Sequence, residues 1–123
     1  MDNTLDLLQR ATTRLSQSGS IKDRLADAYS SHLVEVDSDE LPEAVRHDFS
    51  ALCAAMNRER ALPRESAIRA SVRKMSNDEA GNYAAMVVRM FATLARADSA
   101  ASRRNARMTP ASSPIVQLFA AEG

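Results

Sequence analysis

The sequence has no tryptophan, one cysteine, three glycines, and two tyrosines with three phenylalanines among 123 residues. Each scarcity excludes something. A lone cysteine cannot close an internal disulfide, so the fold does not depend on an oxidising compartment. The glycines are Gly19, Gly81 and Gly123, too scattered to make a loop that cradles a phosphate. Without alternating runs of β-branched and aromatic residues there is no strand signal. No window approaches the roughly 18 to 20 apolar residues that a membrane span needs. The opening MDNTLDLLQR has neither the basic nor the apolar region of a secretory leader. A cytoplasmic location with no membrane partner is therefore expected.

What remains is 45% apolar and 26% charged, with the apolar share concentrated in Ala, Leu, Val and Met. Those residues favour helix over strand. The length suits one core and is too short for two. No internal repeat is visible. The expected fold is all-α: a small bundle of four to five helices with a long C-terminal helix and a partly flexible C-terminal tail. Residues 1–102 would form the bundle. Residues 103–123 would form a flexible Arg/Ser/Pro tail that ends in an apolar segment.

Apolar spacing places the helices. Leu5, Leu8, Ala11 and Leu15 predict a first helix from Asn3 or Thr4 to about Ser16, with Asp6 and Arg10 as a flanking i,i+4 pair. SQSGS interrupts it. Ile21, Leu25, Ala28, Tyr29, His32, Leu33 and Val36 share one face of a second helix, opened by Ser20 with Asp23 three residues on. Pro42 starts a third, which buries Val45, Phe49, Leu52, Cys53 and Met56. Ile68, Val72 and Met75 predict a short fourth helix after Pro63. Ser76 with Glu79 is a capping box that opens the fifth, running to about Ser102.

Catalytic and metal-binding groups are few. His32 lies on the apolar face of helix two and His47 on the solvated side of helix three. Cys53 belongs to a buried stripe, where an apolar surround silences a thiol. It is six residues from His47, about 240° around the helix, so the two form no dyad. Two histidines and one cysteine on separate faces do not make a zinc site. Asp37 and Asp39 begin like a calcium loop, but Pro42 stands where such a loop requires glycine. No enzyme activity, metal or cofactor is expected.

Charge balances at 16 basic and 16 acidic residues but is unevenly spread. Residues 1–57 carry five basic and ten acidic side chains, and residues 58–107 carry eleven basic and five acidic. Arg69, Arg73 and Lys74 on the fourth helix, with Arg103, Arg104 and Arg107 after the fifth, offer one reading: a small nucleic-acid-associated regulator. Against it, Glu59 and Glu65 interrupt the cluster, Glu65 is placed to pair with Arg69, and no aromatic is interleaved for base stacking.

Helix five supports the preferred reading. Ala80, Ala84, Val87, Phe91 and Leu94 form one apolar stripe, and Gly81, Ala85, Val88, Ala92 and Ala95 form a second of small residues at heptad-like steps. A helix apolar nearly all round is normally buried on several sides. The small stripe is the expected contact with a second copy of the chain or with another protein. The closing segment places Ile115, Val116, Leu118 and Phe119 after a polar run. It folds back on its own bundle, enters a partner's groove as a short motif, or is a vestigial sticky end. The expected function is a non-enzymatic protein-protein interaction module, an adaptor or regulatory subunit.

Overall fold

A computed structural model describes the backbone of residues 2–108 and the side chains of residues 3–104. Within them the chain is all-helical: α1 (Asp2–Leu15), α2 (Ile21–Ser31), α3 (Glu43–Met56), α4 (Ala67–Arg73) and α5 (Asn77–Met108). Among the described residues no strand forms beyond an isolated bridge between Leu62 and Glu65. No helix there is long and apolar enough to cross a membrane. The segment Ile115, Val116, Leu118 and Phe119 lies outside the described residues.

Local chemistry sets the helix starts. Ser20 Oγ accepts from the Asp23 amide at 3.1 Å, Ser66 Oγ from Arg69, and Ser76 Oγ from Glu79, each satisfying an otherwise orphaned first-turn donor. Gly19, at φ 115°, takes the left-handed conformation that lets the chain reverse between α1 and α2. The core gathers Leu8, Ala11, Leu25, Tyr29, Leu33, Leu41, Leu52, Met56, Val87, Met90 and Leu94. Helix α5 is its spine, packed by α1, α2 and α3, while α4 bridges α2 and α3.

Three expectations change. Helix α2 stops at Ser31, and a 3₁₀ turn, Leu33–Glu35, carries the chain on. Leu33 and Val36 are buried all the same, because the turn aims them inward where a continued α-helix was expected to. Cys53 is half-buried at the edge of the core, and Ala55 takes the interior position. Helix α5 continues through Arg103 and Arg104 to Met108. The fading apolar pattern after residue 97 marks the end of burial there, and Ala, Arg and Met sustain the helix by intrinsic propensity.

Candidate functional site

The stripes of α5 separate cleanly in three dimensions. Ala80, Ala84, Val87, Met90 and Leu94 are buried against the bundle, with Tyr83, Met86 and Phe91 partly covered beside them. The small-residue stripe points elsewhere. Ala85 is exposed, Val88 is 43% exposed, and Gly81, Ala92 and Ala95 are half-buried. At about 100° per residue, this stripe lies roughly 120° around the helix from the centre of the buried face. Among the described residues, a β-carbon added at Gly81 would meet nothing within 4 Å beyond its own neighbours and the backbone of its own helix. The close approach that small residues permit is not used by the protein's own helices.

The same 4-3 rhythm runs on through Ser99 and Ser102, both exposed, so the seam spans three heptads from residue 81 to 102. Burial on α5 ends at Leu94: from residue 95 to residue 104 no side chain is buried. At 1.5 Å per residue, 32 helical residues extend about 48 Å, against about 21 Å for the 14 residues of α1. The C-terminal turns of α5 therefore offer their surface without covering from the bundle.

Electrostatics divides the basic residues into two sets. Arg69 pairs with Asp27 at 2.5 Å and Asp23 at 3.5 Å, Arg73 holds Glu65 at 3.0 Å, and Lys74 reaches Glu59 at 3.3 Å. The expected Glu65–Arg69 pair does not form. Arg73 takes Glu65 through both Nε and Nη2, a two-pronged contact, and Arg69 turns instead to the acids of α2. The Arg73 guanidinium holds the Glu65 carboxyl below the usual glutamate range. Arg58 likewise binds Glu79 at 3.1 Å. The charge of segment 58–74 is largely matched within the fold.

Lys22, Arg24 and Arg46 donate to backbone carbonyls. Among the described residues, the arginines that meet neither a carboxylate nor a carbonyl are Arg60 and Arg64 before α4, and Arg89, Arg96, Arg103 and Arg104 on α5. Arg107 belongs to the last turn of α5, and its side chain lies outside the described set. Arg89, Arg96 and Arg103 recur every seven residues and follow the seam along one flank. By sequence alone, Arg103, Arg104 and Arg107 group with Arg69 and Arg73 of α4 and with Lys74. The signal for the row was available in the spacing, but only the helix's continuation past Ser102 makes it one surface.

Other concave or reactive places are less organised. An open groove of about 410 Å³ lies beside α1, lined by Asp6, Gln9, Arg10, Thr13, Arg14, Gln17 and His32, with the expected Arg10–Asp6 pair at 3.0 Å on its wall. Tyr29 sits in the core next to Cys53 and Asn57. Burial pushes its phenol up to about 12, and Cys53 adds to the rise. Among the described residues no three His, Cys, Asp or Glu side chains gather where a metal could bind. Compared with known proteins, the chain matches no family model, no curated protein and no solved structure.

Proposed function

We propose that the protein is a non-enzymatic interaction module, an adaptor or regulatory subunit, whose working surface is the outward seam of α5. One observation carries the reading: Gly81, Ala85, Val88, Ala92 and Ala95 run at heptad spacing along the flank of the buried face, with Ala85 and Val88 exposed and, among the described residues, open space over Gly81. A surface helix ordinarily turns charge to solvent on its outer side. A seam of small residues there suits a second helix, because it lets two backbones approach closely and bury area that neither hides alone. His32 follows α2, His47 lies exposed on α3, and Cys53 sits half-buried beside Tyr29.

The C-terminal segment is the second part of the proposal. Ile115, Val116, Leu118 and Phe119 carry enough apolar area to anchor a contact, at roughly 1.5 to 3 kcal/mol per buried side chain before ordering costs. The seam is tested by purifying the full chain and a Val88→Glu/Ala92→Glu variant from native cells and comparing their sedimentation. The expected result is a heavier species for the wild type, and a lone chain with an unchanged melting temperature for the variant. A heavier species that survives both glutamates contradicts the reading.

A further inference from the structure

The seam has a basic border on one side only, and the border says what kind of helix fits. In heptad terms Arg89, Arg96 and Arg103 occupy the position following the seam residues Val88, Ala95 and Ser102, spaced about 10.5 Å apart along the axis. The opposite border holds Ala84, Phe91 and Asp98, which turn toward the bundle face. Between two of the arginines the surface is notched: Ala95, Arg96, Ser99 and Arg103 line an open groove of about 350 Å³. Its lining is two small side chains and two arginines. Neither arginine meets a carboxylate among the described residues, whereas Arg58, Arg69, Arg73 and Lys74 each have one.

We infer that α5 docks an acidic helix of another protein, which lies along the Gly81–Ser102 seam and presents carboxylates to Arg89, Arg96 and Arg103. This rests on the reading of the seam as a helix-docking surface and adds the partner's chemistry. A second copy of the chain fits poorly. In an antiparallel pair each arginine row faces its own counterpart, and like charges at this border repel. In a parallel pair only Arg103 meets a carboxylate, that of Asp98, while Arg96 faces Phe91 and Arg89 faces Ala84. Duplex nucleic acid fits less well than a helix, because a groove lined by phosphates on both sides calls for basic residues on both flanks of the entering helix. A heptad of small residues serves no purpose against phosphates.

The test uses the full chain and two synthetic 28-residue helical peptides, both with Ala at the two seam positions of each heptad. One carries Glu at the flanking positions and the other Lys. Binding is read by fluorescence anisotropy at moderate salt. The Glu peptide is expected to bind and the Lys peptide to bind at least tenfold more weakly. Arg96→Glu/Arg103→Glu is expected to reverse that order, and Arg96→Gln/Arg103→Gln to abolish it, with helicity by circular dichroism unchanged in both. A reversal of preference cannot arise from unfolding. Equal binding of both peptides that is lost in Val88→Glu/Ala92→Glu overturns the acidic partner while leaving the seam intact. No binding of either peptide overturns the acidic partner, and the sedimentation test then decides the seam separately. Tighter binding of a 20-base-pair duplex than of the Glu peptide, lost in the same arginine variants, assigns the row to nucleic acid and overturns the inference.

Discussion

Asp27 is the residue on which three helices meet. Its carboxylate accepts from Arg14 of α1 at 2.8 and 3.2 Å and from Arg69 of α4 at 2.5 Å, while its backbone belongs to α2. The Arg14 hydrogen bond is the main reason its carboxyl stays below the ordinary aspartate value of 3.8, with the charge of Arg69 acting in the same direction against some burial. Because the folded value is depressed, the stabilisation is present above that ordinary value. It is lost as pH falls through the lowered one. Asp27→Asn should cost about 1 kcal/mol at neutral pH, kept small because about a third of the side chain meets solvent. Urea denaturation across pH 2 to 7 checks this: the gap between wild type and variant should close below about pH 4. The same pairing explains why the arginines of α4 are poor candidates for an outside ligand.

Among the elements, α5 has one face holding the fold together and another free for a partner. Gly81 lies in its second turn with nothing over it. Gly81→Ala should therefore stabilise the isolated chain by about 0.5 to 1 kcal/mol, from the higher helix propensity of alanine alone. A melting temperature that falls instead would mean that some part of the chain occupies that space. The helix positions and inward stripes were legible in the sequence, since Leu8, Ala11, Leu25, Val45, Phe49, Leu52, Val87 and Leu94 follow helical spacing and are buried. Side-chain pairing was less legible: Glu65 is four residues from Arg69 and eight from Arg73, yet it lies before α4 begins and meets Arg73, while Arg69 is taken by Asp23 and Asp27. The end of α5 was hidden for a different reason. Apolar periodicity reports burial, and a solvated helix of alanine and arginine produces none. The buried Thr4, whose hydroxyl donates to Glu40 at 2.7 Å, was likewise invisible, because its partner is 36 residues away.

At the scale of the whole molecule, a short bundle of α1 to α4 covers one side of a helix more than twice the length of α1. Val87, Met90 and Leu94 of α5 are buried by its own companions, whereas Val88 is 43% exposed. The bundle thus hides the larger stripe, and what it leaves uncovered is a narrow seam of small residues beside a row of arginines. Such a surface adds little hydrophobic drive per residue and depends on close backbone approach and charge to select its partner. The most direct measurement places a photoreactive benzoylphenylalanine at residue 88 of the full chain in native cells, with the same replacement at exposed Ser50 on α3 as the control. A light-dependent adduct with a second protein is expected from position 88 and none from position 50. No adduct from position 88, or the same adducts from both positions, would contradict it.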